Sequence, residues 1–317
     1  MSRPAGGGDG SQIRPGSLDL CCPACLGQGR PLRLLVEGQY RLIGCRRCRT
    51  QYFRPDPGAV PGPAAASVSE YWETYKFQLY ANSAVQRDYE QRYLAGLREA
   101  ERLAGPIRSV LDVGCGIGNF VAFAQSRAMA ACGIDVDAEA VAVARSRGLP
   151  VCLSEDLDTI APDQALDAIT LWDVIEHLYD PVPVLCRVLT KLRPGGVVLL
   201  ETPDAAFPVR PLVLAAQRMS RGRLHLTGHL YYWEHKIYFT ESGLSAILGR
   251  VGCEILGVRH ETSPRTKMQE IFNRYAAVSL PNRIIARLWP ILESGARHLG
   301  AGNKLIVTAR HAPAGHQ

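Results

Sequence analysis

The chain has 317 residues, with 36 Lys+Arg against 30 Asp+Glu, 47% hydrophobic side chains and ten cysteines. That length fits one large α/β domain with an appendage, or two ordinary domains, and the apolar content excludes disorder as the overall state. No run approaches the eighteen or so apolar residues of a membrane span, and residues 1–10 lack the apolar segment of a secretion signal, so the expected compartment is the cytosol.

Residues 1–17 are rich in Gly, Pro and Ser and are expected to be a disordered tail. Cys22-Pro-Ala-Cys25 and Cys45-Arg-Arg-Cys48 then give C-x2-C, nineteen intervening residues and C-x2-C. This is the spacing of a tetrahedral zinc site with four cysteine ligands, each pair offering two thiolates from one turn. Disulfide pairing is the alternative, and a cytosolic chain disfavours it. Cys21 adjoins Cys22 and competes with it as ligand. Residues 31–36 and 39–43 read as a short hairpin between the pairs, so 18–54 is expected to be a zinc ribbon with a structural Zn2+. The Pro/Ala-rich stretch 55–69 reads as a linker.

Residues 70–104 look helical, with seven aromatic residues between Tyr71 and Tyr93, and are expected to form a cap. From 105 to 317 strands and helices alternate. Strands are expected at 109–113, 131–135, 150–153, 168–172, 197–201, 254–259 and 304–308, and helices near 118–129, 137–147, 182–192, 240–251 and 283–298. Apolar runs bounded by Gly or Pro suit buried parallel strands, so the expected fold is α/β, a doubly wound, mostly parallel sheet of seven strands. Two connections, 203–239 and 260–302, are too long for simple alternation, and the first is expected to be a substrate-binding insertion. Cys115, Cys132, Cys152, Cys186 and Cys253 lie on strands and helices as small core residues.

Gly114, Gly116 and Gly118 follow the first of these strands at the mouth of a helix, where glycine permits positive φ and close approach of a ligand to the backbone. A dinucleotide fingerprint would need a third glycine at Asn119, which argues against a nicotinamide cofactor. The segment 112–118, Asp-Val-Gly-Cys-Gly-Ile-Gly, resembles the first motif of class I S-adenosylmethionine-dependent methyltransferases. Asp135, Asp156 and the stretch 193–200 match further motifs in order, and the resemblance covers roughly 70–310. It implies a cofactor site made of Asp112, Gly114, Cys115, Gly116, Gly118, Asp135, Val136, Asp156, Leu157, Trp172 and Asp173. Within it, Asp135 would meet the ribose hydroxyls and Asp156 the adenine amine.

The fourth of these strands ends in Trp172-Asp-Val-Ile-Glu-His177. Ligands bind at the carboxyl ends of strands in such sheets, so Asp173, Glu176 and His177 are the catalytic candidates, with His177 the base for a hydroxyl acceptor. The stretch is similar to the E-x-x-E-H signature of the ubiquinone-biosynthesis O-methyltransferases, with Asp173 in place of the first Glu. That likeness implies a divalent ion such as Mg2+ on Asp173, Glu176 and His177. The plain alternative is that Glu176 and His177 only brace the loop. His225, His229 and His235 are not at helical metal-binding spacing, and no metal is expected there.

Charge is uneven along the chain: residues 1–60 carry +5, 61–206 carry −8 and 207–317 carry +9. The basic third points to an anionic or lipid-linked small-molecule acceptor. The mixture of arginine and apolar residues in 210–223 and 283–292 is the pattern of helices that touch a membrane surface, at its inner face for a cytosolic enzyme. The leading expectation is O-methylation of a small molecule. Methylation of ribosomal RNA, with the ribbon's arginines on phosphate, is the rival enzyme reading, and a non-enzymatic scaffold that assembles through the ribbon is the third.

Overall fold

The computed structural model describes residues 20–36, 40–56, 77–219, 230, 231, 234–269, 287, 288, 290, 291, 294, 295 and 300–312. The expected tail 1–17, nearly all of the linker, Tyr71, His225, His229 and most of 283–292 lie outside them. No helix among the described residues is long and apolar enough to cross a membrane.

The N-terminal module holds three antiparallel strands, β1 (Gly29–Val36), β2 (Tyr40–Cys45) and β3 (Gln51–Pro55), one more than the expected hairpin. Two helices follow, α1 (Phe77–Ala81) and α2 (Ser83–Ala104). The Asn82 carboxamide caps α2 by accepting from the amides of Ala84 at 2.9 Å and Val85 at 3.4 Å. Val85, Tyr89, Tyr93, Gly96, Leu97 and Ala100 recur at helical spacing and make its buried stripe.

The alternating part runs β4 (Ser109–Val113), α3 (Asn119–Gln125), β5 (Ala130–Asp135), α4 (Ala138–Ser146), β6 (Val151–Leu153), α5 (Leu157–Ile160), β7 (Leu166–Trp172), α6 (Pro181–Leu189) and β8 (Leu192–Pro203). After it come α7 (Val209–Met219), β9 (Ile237–Tyr238), α8 (Glu241–Arg250), β10 (Cys253–Glu261) and β11 (Lys304–His311). The seven-stranded sheet has the order β10-β11-β8-β7-β4-β5-β6, with β11 antiparallel to both neighbours. All seven expected strands are its members. β8 starts earlier than expected because 193–196 joins the strand, and its register with β7 shifts between Leu166 and Ala168 to absorb the extra residues.

β4 lies between β7 and β5, and the winding reverses there. The loops leaving β4 and β7 therefore diverge and open a crevice at the carboxyl edge, where such sheets bind ligands.

The insertion 203–239 contributes β9, which pairs not with this sheet but with β3, giving a second sheet of order β1-β2-β3-β9. Cys22, Cys45, Cys48 and Tyr52 share a continuous buried cluster with Ile237, Phe239, Leu244, Leu248 and Cys253. The ribbon thus shares its core with the elements that flank the main sheet and is not tethered beside it.

Candidate active site

The turn after β4 is shaped by its glycines. Gly114, Gly116 and Gly118 have φ of 73°, 52° and 81°. A Cβ on Gly114 would sit 2.5 Å from a Val174 methyl, so the loop after β7 closes directly on the turn. A Cβ on Gly116 would meet nothing within 4 Å, which leaves that stretch of backbone open to a ligand. The Asp135 carboxylate receives the amides of Gly116 at 2.7 Å and Asp137 at 2.9 Å, tying the end of β5 to the turn. Cys115 donates its amide to the Ile134 carbonyl at 3.0 Å, and its thiol is buried against Gly133. Val136 is 85% exposed, Asp156 is exposed and Leu157 is buried, so Val136 and Asp156 face the open edge and Leu157 supports it from below.

Asp112 is buried within β4 and accepts the Thr170 hydroxyl at 2.7 Å. Burial pushes its carboxyl up to about 8, the Thr170 bond offsets part of that, and Asp135 adds to it.

At the end of β7, Trp172 turns towards α2 and packs at a tilt against Tyr93 and Phe120 at centroid distances of 4.8 and 5.7 Å. The next residue, Asp173, adopts a left-handed backbone with φ 55°, stabilised by its amide bond to the Glu201 carbonyl at 3.0 Å. Its carboxylate is paired with Lys304 and with Lys267 at 3.4 Å. Lys267 also donates to the hydroxyls of Tyr89 at 2.7 Å and Tyr80 at 3.4 Å. Arg92 of α2 reaches the Glu201 carboxylate at 2.8 Å and the Thr262 carbonyl, and Lys304 lies 3.8 Å from Glu201. Arg92, Lys267 and Lys304 therefore surround two carboxylates at the carboxyl edge; burial and then the Arg92 charge push the Lys304 ammonium well below the usual lysine range, while Lys267 is held well above it.

Beyond Asp173 a single 3-10 turn, Ile175–His177, presents Glu176 and His177. Glu176 is fully buried; one oxygen takes the Thr202 hydroxyl at 3.0 Å and the other has no hydrogen-bond partner among the described residues. Burial raises its carboxyl to about 8. His177 Nδ1 lies 3.1 Å from the Glu234 carbonyl. That carbonyl can only accept, so it selects the Nδ1–H tautomer, in which Nε2 carries the basic lone pair. The His235 ring stands edge-on to His177 with centroids 4.8 Å apart, and burial, then the His177 charge, hold it neutral well below the usual histidine range.

Ligand atoms of Glu176, His177 and His235 converge within 4.8 Å of one another, and so do those of Cys22, Cys25, Cys45 and Cys48. In the cysteine group Cys22 and Cys48 sulfurs are 3.6 Å apart and Cys25 and Cys45 sulfurs 3.5 Å, with all four thiols free. Four thiolates around one zinc would stand about 3.8 Å apart for bonds of ~2.3 Å, so the cage has close to the right size. Cys21 is exposed, with its thiol near the Leu26 carbonyl, and stays outside it.

A family model for the methyltransferase domain matches residues 85–258. The ubiquinone biosynthesis O-methyltransferase of Xanthomonas campestris pv. campestris is 33% identical over 179 residues, covering 51% of this chain and 74% of that protein. This chain belongs to the class I S-adenosylmethionine-dependent methyltransferases. The trans-aconitate 2-methyltransferase of Escherichia coli is 29% identical over 226 residues, covering 64% of this chain and 86% of that protein. A solved SAM-dependent methyltransferase from Archaeoglobus fulgidus aligns with 76% of this chain and 99% of that one at 18% identity and a TM-score of 0.47.

In this methyltransferase the glycine turn and the loop after β7 lie against each other, since a Cβ on Gly114 would run into Val174. Asp173 is not gathered with Glu176 and His177, because two lysines engage it. Sequence reasoning missed Arg92, Lys267, Lys304 and Glu201, and it weighed His235 only by helical spacing, which could not show that the ring meets Glu176 and His177 from another segment. Each comes from a remote segment, and only the expectation that long connections carry function pointed at 260–302 and 203–239.

Proposed function

We propose that this methyltransferase methylates a hydroxyl or carboxyl oxygen of an anionic small molecule. The observation that carries the reading is the bond from His177 to the Glu234 carbonyl, which leaves a basic Nε2 at the carboxyl end of β7. For a hydroxyl acceptor His177 takes the proton as the oxygen attacks; the cofactor, when bound, supplies the methyl group. Asp112, Gly114, Gly116, Gly118 and Asp135 line the cofactor side, with Val136, Asp156 and Leu157 at its rim. Arg92, Lys267 and Lys304 face Asp173 and Glu201, and a negative group on the acceptor would offset the burial and the Arg92 repulsion that push Lys304 well below the usual lysine range.

The four ribbon cysteines fit a structural zinc. The Mg2+ site suggested by the ubiquinone-enzyme likeness fits poorly, because the Asp173 carboxylate is held by Lys267 and Lys304. The group that converges has one carboxylate and two imidazoles, donors that suit a transition ion better than magnesium, and no step is assigned to an ion there.

Incubation with S-adenosylmethionine labelled on its methyl group and fractionated cell extract tests the function. Label is expected in a small acidic molecule, and to vanish with His177→Ala if the methylated oxygen is a hydroxyl and to persist if it is a carboxylate, which needs no base; label in RNA instead would replace this reading by the rival one.

A further inference from the structure

We propose that the ribbon is a positioning element of the acceptor side of the site, and that metal in its cysteine cage holds residues 234–240, and through them His177, in place. This rests on the methyltransferase reading and on zinc in the cage.

The first connection is the sheet. β9 has two residues, too few to persist alone, and its pairing is to β3, Gln51 opposite Tyr238 and Tyr52 opposite Ile237. The Phe53 amide extends that ladder to the Lys236 carbonyl at 2.9 Å, and the Tyr231 hydroxyl donates to the Gln51 side chain at 2.8 Å. Glu234 and His235, which hold and touch the His177 ring, thus lie between two segments anchored on a ribbon strand.

The second connection runs through α8, whose two ends grip the two knuckles. At its N-terminus the hydroxyls of Thr240 and Ser242 both donate to the Cys48 carbonyl, at 2.5 and 2.9 Å. The Thr240 oxygen also accepts the Gly243 amide at 3.1 Å, so one hydroxyl caps the helix and binds the knuckle. Any Cβ on Gly243 would lie 1.9 Å from the Thr50 hydroxyl, so that contact admits glycine alone. At its C-terminus Arg250 donates to the carbonyls of Pro23 at 2.7 Å and Ala24 at 3.2 Å, inside the first knuckle.

A module this small lacks a core large enough to fold alone and relies on metal for its turns. Loosening the Cys45–Cys48 turn removes the acceptor for Thr240 and Ser242 and weakens β3. The 234–240 segment then loses both ribbon anchors and keeps the bond from the Ala205 amide to the Phe239 carbonyl at 2.7 Å, so the loosening falls on its N-terminal part, where the Glu234 carbonyl no longer fixes the His177 tautomer. The glycine turn is anchored on β5, away from the ribbon, so cofactor binding persists.

The test uses full-length zinc-loaded protein, the same protein after chelation, the double variant Thr240→Val with Ser242→Ala, which leaves all four cysteines, and Thr240→Ser, which keeps the hydroxyl. Amide exchange over 234–240 is expected to quicken by about tenfold or more in the chelated and double-variant proteins. Nitrogen NMR of His177 is expected to show loss of the single Nδ1–H tautomer, while affinity for S-adenosylhomocysteine stays within about twofold. Thr240→Ser is expected to behave as wild type.

Unchanged exchange and unchanged His177 signals after chelation would overturn the proposal. So would exchange that rises evenly over the chain together with loss of S-adenosylhomocysteine binding. If the double variant does not fold, the chelated protein decides. Failure of the untreated wild type to bind S-adenosylhomocysteine would instead count against the functional reading.

Discussion

Asp112 shows what a single buried group contributes. Its carboxyl titrates near 8 because burial disfavours the charge, so in the empty protein it is largely neutral at pH 7. The sign follows: a folded value raised above the unfolded one gives stability that is full below about 4 and is lost as pH rises through about 8. A cationic cofactor favours the carboxylate, so its binding should release a proton and tighten as pH rises towards 8, by up to about tenfold per pH unit well below that value. Calorimetry in two buffers of different ionisation enthalpy counts the proton, and Asp112→Asn, which cannot ionise, is expected to flatten the dependence although Glu176 titrates in the same range. Binding that neither releases a proton nor changes with pH would refute this. The glycine turn was legible from sequence because its chemistry is local: a few adjacent positions specify one turn. The partners of Asp173 were not, since Lys267 and Lys304 lie 94 and 131 residues away.

Among the elements, strands were easier to read than their pairing. Apolar runs such as 109–113 announce burial, and all seven strands of the main sheet were placed to within a few residues. β9 escaped notice because two residues carry no periodicity, and its partner lies in another module. The cysteine spacing did reveal the ribbon, but spacing says nothing about what the ribbon rests on. The cage makes a direct prediction: purified protein should hold about one zinc per chain, and Cys45→Ser should lose it. Elemental analysis of both proteins decides; a wild type without zinc after growth in zinc-supplemented medium would remove the metal from the account.

Across the whole molecule, the uneven charge of the sequence has an internal use. The basic C-terminal third was expected to await an anionic partner, yet several of its cations are structural ties. Arg210 is buried over the rings of Tyr231 and Tyr238 and donates to the carbonyls of Asp204 and Leu230 at 2.8 and 2.9 Å. Arg250 holds the first knuckle. Lys304, on the last strand, joins Asp173 at the end of β7 to Glu201 in β8, and Arg92 brings in α2. Four segments distant in sequence thereby meet on two carboxylates, Glu201 buried and Asp173 half-buried. Removing one cation from such a network leaves its partners under-compensated, which typically costs about 3–5 kcal/mol where the pair is fully buried. Lys304→Met keeps the apolar stem and deletes the amine, so denaturant unfolding should show a loss below that range, because burial and Arg92 already push Lys304 well below the usual lysine range, Asp173 is half-buried, and Lys267 and Arg92 remain. The double variant Lys304→Met with Asp173→Asn should recover part of the loss, since it removes the carboxylate left short of a partner. If Lys304→Met were as stable as wild type, the cluster would hold its geometry without that amine, and Lys304 could not be used to argue for an anionic acceptor.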